Sequence, residues 1–341
     1  MARRPRLEDV ARAAGVSLAT VDRVLNGREA VRPETVALVH EATRQVGHAS
    51  ARRLMPAPEL PEVRFGVVLH KQGQDFYRAF AEELERAVAL APGVLGRLVL
   101  EFSTSQAPGE MAGLLRSMAG RCDALAATAV NHPEVTAAVE ALKAQGLAVF
   151  SLLSDFAQGV RAGYVGLNNL KVGRTAGWIM ALTAQGPGKV AIFVGGHRWH
   201  GHDLRETGFR SYLRECAPGL TVLDTLVNLE TRQLTYEATL ALLARHDDLR
   251  GIYVAGGGME GAIAALRETR APGAVALVVS ALTGESRAGL AGGHVTMVID
   301  TPLATLCRDL VAMMLRATQD GATGSGAQHF LPPDLHVAES I

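Results

Sequence analysis

Gly15-Val-Ser-Leu-Ala-Thr-Val-Asp-Arg-Val-Leu-Asn-Gly27 reads as a short helix delimited by two glycines. Gly15 permits a sharp turn ahead of it, Ser17 is a good N-cap, and Gly27 ends it. Val21, Val24 and Leu25 share one face and point inward. Upstream, Leu7–Ala14 is amphipathic, with Leu7, Val10, Ala11 and Ala14 on one side; the small Ala11 lets the two helices approach closely. Pro33 opens a third helix that runs to about Val46 and is closed by Gly47. Two helices joined by a tight glycine turn and followed by a third is the helix-turn-helix plan. Any small three-helix domain is the alternative.

Charge favours the first reading. The 341-residue chain is neutral, with 34 basic and 34 acidic side chains, but residues 1–55 hold ten arginines, no lysine and six acids. A basic head on a mildly acidic body suits a head that meets an anionic polymer. Hydrophobic residues at 48% and charged residues at 20% allow an ordinary core. Cys122, Cys216 and Cys307 lie far apart, without metal-ligand or redox spacing, and read as reduced residues. No apolar run reaches the ~18 residues of a membrane span. Glu8 and Asp9 stand where a signal peptide needs its apolar segment, so the expected location is the cytoplasm.

Met55-Pro-Ala-Pro-Glu-Leu-Pro-Glu62 is proline-rich and reads as a stiff linker. The expected organisation is a helix-turn-helix domain at 1–48, a hinge at 49–62 and a ligand-binding domain at 63–341. From Val63 onward, short apolar runs alternate with amphipathic helical stretches, which predicts parallel sheets covered by helices on both sides. The elements are too many for one ordinary sheet. We expect two doubly wound lobes, one of about 63–157 and 300–325, the other of about 158–299 and 326–341, with 320–327 as a surface loop.

The run Leu7-Glu-Asp-Val-Ala-Arg-Ala-Ala-Gly-Val-Ser-Leu-Ala-Thr-Val-Asp-Arg-Val-Leu-Asn-Gly27, followed by Val31-Arg-Pro-Glu-Thr35, closely resembles the head of the lac repressor (LacI/GalR) family. It matches that family's D-V-A-x-x-A-G-V-S-x-x-T-V-S-R-V-L-N at nearly every defined position. The resemblance implies that Leu18, Ala19 and Arg23 face bases in the major groove. Arg23 can give a bidentate contact to guanine, and Leu18 or Ala19 can pack on a thymine methyl. It also implies that Ser17, Thr20 and Asn26 contact phosphates. Asp22 stands where the family has serine. Four roles are open to it: orienting Arg23 or Arg12, accepting from a cytosine amine, repelling phosphates at wrong sites, or a solvated helix surface. The family's next segment, G-Y-x-P-N-x-x-A-x-x-L, forms a minor-groove hinge helix with a wedging leucine. Here Gly47-His-Ala-Ser-Ala-Arg-Arg-Leu54 is three residues shorter and lacks the proline and asparagine. On that alignment Leu54 is the wedge and Arg52, with Arg53, holds phosphate.

The resemblance further implies an effector domain sharing the fold of periplasmic sugar-binding proteins, with ligand held between the lobes at strand C-termini. After the first strand comes Gln74-Asp-Phe-Tyr77, whose Phe76 and Tyr77 resemble the aromatic pair that stacks on sugar rings in ribose-binding-type proteins. Asn131 and His132 follow the third strand. Ser154 and Asp155 follow the fourth, and a carboxylate there could accept from two sugar hydroxyls. Arg205 matches the arginine that reaches ligand from the second lobe. Gly256-Gly257-Gly258 leaves only backbone amides at a helix N-terminus, a place for a hydroxyl or an anion. Asp300 matches a position often held by glutamine and is a ligand or hinge candidate. His197, His200 and His202 have spacing compatible with a metal, but without a carboxylate or cysteine cluster we read a loop beside the cleft, with His197 or Trp199 near ligand.

No nucleophile elbow, Ser/His/Asp set or catalytic carboxylate pair is present, so an enzyme is not expected, and no cofactor or metal is called for. The reading is a ligand-responsive DNA-binding regulator, in the sense of a repressor, that senses a sugar, polyol or related carbohydrate. Its implied partners are double-stranded operator DNA, a small effector and a second copy of the chain; no C-terminal heptads point to a tetramer, and no membrane is involved. The alternative is a transporter's solute-binding protein, against which the basic helical head argues.

Overall fold

The computed structural model describes residues 5–27, 31–48, 50, 60–320 and 326–341. The chain divides into two compact units, Met1–Val63 with Ala89–Arg97, and Arg64–Val88 with Leu98–Ile341. Arg52 and Leu54 lie outside the described residues.

The first unit contains α1 (Leu7–Ala14), α2 (Leu18–Asn26) and α3 (Pro33–Val46). Gly15 takes the left-handed φ of 67° that the turn between α1 and α2 requires. The Ser17 hydroxyl accepts from the Thr20 amide at 3.1 Å, capping α2 as expected. Val10, Val21, Val39 and Ala42 form the buried centre, with Leu7, Ala11, Ala14, Val24 and Leu25 packed on it. Each fully buried aliphatic side chain contributes about 1.5–3 kcal/mol, so this handful of residues sustains the head. His40 is buried beside them, and its Nδ1 has no hydrogen-bond partner among the described residues.

The second unit begins with β1 (Glu62–His70), α4 (Asp75–Ala89), β2 (Leu95–Ser103), α5 (Pro108–Ser117), β3 (Ala124–Ala127), α6 (Pro133–Ala144), β4 (Ala148–Leu152) and β5 (Gly163–Leu167). It continues through α7 (Asn169–Thr183), β6 (Gly188–Val194), α8 (His200–Cys216), β7 (Leu220–Val222), β8 (Leu226–Val227), α9 (Arg232–Arg245), β9 (Leu249–Val254) and α10 (Met259–Thr269). Last come β10 (Ala276–Val279), α11 (Gly284–Ala291), β11 (Met297–Asp300), α12 (Leu303–Asp320), β12 (Ala327–Leu331) and β13 (Asp334–His336). The strands make two sheets, ordered β12-β5-β4-β3-β1-β2 and β13-β11-β10-β9-β6-β7, with β8 also on β6. β3, β4 and β5 are buried along their whole length, as apolar strands covered on both faces must be.

The sheets correct the expected lobe boundaries. β5 pairs in parallel with β4 and with β12, so residues 163–167 and 327–331 belong to the first lobe rather than the second. The chain crosses at Asn168, again between β11 and α12, and again between β12 and β13, not at residue 158 or 326. The strand Gly-Tyr-Val-Gly-Leu is diluted by two glycines, which hid it from the apolar pattern. The expected loop at 320–327 gives up Ala327 to β12; residues 321–325 lie outside the described residues. Between α8 and α9 the chain forms two short strands, β7 and β8, rather than one.

In the second lobe α7 and α8 pack at close range. A Cβ on Gly208 would stand 2.2 Å from the Leu170 carbonyl oxygen, and one on Gly173 would stand 2.0 Å from that of Arg205. Only glycine allows this approach, and the approach brings Arg205 beside Asn169.

Burial, with Arg44 nearby, holds His40 below its ordinary value of 6.5. The folded head therefore disfavours the proton that the unfolded chain accepts. Its stability is full above about 6.5 and falls as pH drops through the unfolded value toward the folded one. Hydrogen exchange at α3 amides in the full chain should speed up as pH falls below about 6.5, after correction for intrinsic exchange. His40→Leu should flatten that dependence; an unchanged profile would remove His40 as its source.

Candidate functional site

Two surfaces carry chemistry. The first is α2. Ser17, Leu18, Ala19, Arg23 and Asn26 are exposed, while Val21 is fully buried. Leu18 keeps 46% of its surface in solvent, an apolar side chain displayed on the polar face of the helix. The Ser17 and Thr20 hydroxyls bond each other at 2.8 Å, which fixes both at the start of the helix. Asp22 accepts from Asn26 Nδ2 at 2.7 Å. Asn26 lies outside the four roles open to Asp22 in the sequence, although residues four apart along a helix always meet.

The second is a cleft between the two lobes, at the carboxyl ends of β1, β3 and β4 on one side and of β6, β9 and β10 on the other. It encloses about 820 Å³ counting its open mouth. Gln74, Asp75, Phe76, Tyr77, Ser154, Arg205 and Gly257 all line it, as the sequence suggested. Phe76 and Tyr77 meet edge to face with centroids 5.2 Å apart; Tyr77 is the buried member, Phe76 the partly open one. Arg205 is held from two sides, its Nε donating to Asn169 Oδ1 at 2.7 Å and its Nη1 to the Ala255 carbonyl at 2.6 Å.

The lobes are joined across the cleft. Gln74 Nε2 donates to the Glu230 carbonyl at 2.7 Å, and Lys71 Nζ donates to the carbonyls of Leu229 and Glu230. The Gly201 amide donates to Ser154 Oγ at 3.0 Å, and the Asn131 amide to the Arg198 carbonyl at 2.8 Å. Trp199, from the second lobe, is 4% exposed and packs in the hydrophobic cluster of the first.

Several expected ligand residues do not line this cleft. Asn131 and His132 border a separate shallow depression, where His132 caps α6 by accepting from the Glu134 amide at 3.3 Å. Asp155 turns into the core and pairs with Arg161, whose Nη2 lies 2.7 Å from its Oδ2; Ser151 Oγ donates to its Oδ1 at 2.6 Å. Burial pushes the Asp155 carboxyl up, but Arg161 and Ser151 more than offset it and hold it low. His197 is exposed on the loop before α8. Asp300 also stays out: it accepts from the Thr301 amide at 2.9 Å, and Thr301 lines the cleft in its place. The three histidines of the loop do not converge: among the described residues no three His, Cys, Asp or Glu side chains come together as a metal site would need.

The residues that sequence reasoning missed are Glu230 and the glycine cradle around it. Leu229 and Glu230 are both left-handed, with φ of 50° and 54°, a conformation that costs roughly 1 kcal/mol or more for each such residue. Asn228 holds them there. Its Oδ1 accepts from the Glu230 amide at 2.9 Å, and its Nδ2 donates to Thr235 Oγ1 and to the Gly257 carbonyl. Glu230 then points at the triple glycine. A Cβ on Gly256 would stand 2.7 Å from His202 Nε2 and 2.8 Å from Glu230 Oε1. The Gly257 amide donates to Glu230 Oε1 at 3.2 Å. The glycines admit the protein's own carboxylate, which corrects the expected role of their amides as a seat for a ligand anion. His202 accepts from the Gly195 amide at 3.1 Å through Nδ1. Burial, with Arg205 nearby, lowers its pKa to about 3, so the ring is neutral and its proton sits on Nε2, 3.7 Å from Glu230 Oε1. Thr128 Oγ1, Trp199 Nε1 and Glu230 Oε2 are buried without a hydrogen-bond partner among the described residues, and all three residues line the cleft.

Residues 6–50 match the lacI family of bacterial regulatory proteins, and residues 65–323 match the periplasmic binding protein domain. A comparison with curated proteins finds no match. Among solved structures, a glucose-galactose binding protein from Geobacillus stearothermophilus is 17% identical, with a TM-score of 0.73 over 82% of this chain and 99% of that one. A periplasmic solute binding protein from Actinobacillus succinogenes, with bound D-allose, is 16% identical, with a TM-score of 0.73 over 82% and 98%. A solute binding protein from Agrobacterium vitis, bound with alpha-D-tagatopyranose, is 19% identical, with a TM-score of 0.73 over 81% and 95%. At these identities the likeness is one of fold. Among the described residues no helix is long and apolar enough to cross a membrane.

Asp155 offers a check on these placements. Removing one partner of a buried ion pair costs about 3–5 kcal/mol, so Asp155→Ala should lower the unfolding free energy of the ligand-binding unit by that amount, read as a lower urea midpoint. An unchanged midpoint would return Asp155 to the candidate ligand contacts.

Proposed function

Since the chain belongs to the periplasmic binding protein domain family and carries a lacI-family head, a non-enzymatic architecture, we propose that it is a cytoplasmic repressor that works as a dimer. Its heads bind the two halves of a roughly palindromic operator, because half-site symmetry mirrors protein symmetry. Its effector is a monosaccharide or related polyol taken up between the lobes. The observation that carries the reading is the joint presence of an exposed α2, with Leu18, Ala19 and Arg23 outward, and a cleft lined by an aromatic pair and fixed polar groups. The sugars held by the Actinobacillus and Agrobacterium relatives support that class of ligand.

On α2, Arg23 reads guanine and Leu18 with Ala19 reads a thymine methyl. Ser17, Thr20 and Asn26 fix register on phosphates, with Asn26 oriented by Asp22. Arg52 and Leu54 serve the hinge. In the cleft, Phe76 and Tyr77 stack on the ring face and Arg205 binds hydroxyls. Gln74 acts on closure, because it spans the lobes to the Glu230 carbonyl. Ligand contacts to both lobes favour the closed form over the open one, and that bias couples the cleft to operator affinity.

A gel shift with the purified chain on the DNA upstream of its own gene tests the regulator reading. Specific retardation is expected; retardation no different from that of unrelated DNA, with or without sugars, would overturn it. Arg23→Ala should abolish sequence preference and leave salt-dependent binding to any DNA; unchanged operator choice would exclude Arg23 from base reading. Arg205→Ala should keep operator binding and lose the response to effector, and a normal response would remove Arg205 from the effector site.

A further inference from the structure

The cleft contains a buried carboxylate oxygen without a hydrogen-bond partner among the described residues. Glu230 is 7% exposed, and its Oε2 meets no donor among the described residues. Its Oε1 is held by the Gly257 amide, and the nearest ring, His202, is neutral. No Lys or Arg nitrogen lies within ion-pairing distance of the carboxylate among the described residues; its one close partner is His202 Nε2 at 3.7 Å. Lys71 is near, but its ammonium is spent on the main-chain carbonyls of Leu229 and Glu230.

The rest of the lining deepens the imbalance. Asp75 and Glu260 also face the cleft, and Arg205 is its single cation among the described residues, already committed to Asn169 and the Ala255 carbonyl. Asp75 is paired with Arg78, which leaves Glu230 and Glu260 facing the single arginine Arg205. A buried carboxylate is costly unless a cation and hydrogen-bond donors meet it. A sugar hydroxyl supplies a donor without charge. An ammonium supplies both, and the aromatic side chains of Phe76 and Tyr77 in the same lining favour a cation further. An anionic substituent finds the helix-terminal amide at Gly257 already occupied by Glu230.

We infer that the effector is an amine-bearing carbohydrate, an amino sugar or aminocyclitol, whose ammonium sits on Glu230 Oε2, and that phosphorylated sugars and sugar acids are rejected. The inference rests on the reading of this cleft as the effector site.

Calorimetric titration of the full chain tests it with three matched sets: glucosamine, galactosamine and mannosamine; the parent hexoses; and gluconate with glucose 6-phosphate. At least one amino sugar should bind tenfold or more tightly than its parent hexose, and its N-acetyl derivative, which keeps the ring but loses the charge, should lose that advantage. Glu230→Gln should shrink the amine preference at least tenfold. A hexose that binds as well as its amine, or an acid or phosphate that binds better, overturns the inference and leaves the carbohydrate-sensing reading standing. Binding by none of the three sets overturns both. The N-acetyl comparison uses only the unaltered protein, so it decides the matter even if the variant misfolds.

Discussion

Glu230 is held in place by an arrangement that constrains three separate segments at once. Its backbone must be left-handed, so Asn228 is buried to clamp the turn. Its side chain must pass where Cβ atoms would stand, so residues 195 and 256 are glycine. Its peptide carbonyl must face the other lobe, where Gln74 and Lys71 donate to it. The same residue therefore sets the polarity of the cleft floor and supplies one of the contacts that close the cleft. Buried charge is expensive, and the glycine cradle, the Gly257 amide and the Asn228 clamp are how this fold tolerates it.

Closure rests on contacts of two kinds. The hydrogen bonds from Lys71, Gln74, Gly201 and Asn131 are short-range and directional, so they form only when the lobes meet in register. Trp199 adds a large apolar side chain from one lobe buried in the core of the other, which contributes area rather than direction. The close packing of α7 on α8 connects this region to Arg205, since Gly173 and Gly208 allow the approach that sets Arg205 against Asn169. A ligand touching Arg205 and the residues after β1 thereby acts on groups that already span both lobes.

The head was the most legible part. Ser17, Gly15, Pro33 and Gly47 are local signals whose effects reach only a few residues, and each appears where the pattern places it. The alternation of apolar runs and helices was equally legible as a class of fold. It failed at β5, where two glycines break the run, and at β12, which becomes a strand through its pairing with β5. Those two strands decide where the lobes divide. In the cleft, Phe76, Tyr77, Ser154 and Arg205 were readable because they follow strand ends or match a family position. Asp155 was not, because its neighbour in space, Arg161, sits six residues away in a loop whose path the sequence does not show.

By itself, the sequence determined the three-helix head, its caps and inward residues, and the α/β character of the larger unit, because these depend on periodicity and on residues within a turn or two. Only the tertiary structure decided the division of the lobes and which polar residues face the cleft. It also decided that the triple glycine serves Glu230 rather than a ligand. Such facts depend on segments distant along the chain meeting at van der Waals contact, and whether a glycine is needed, or a carboxylate is paired, is settled by the atom that arrives from elsewhere.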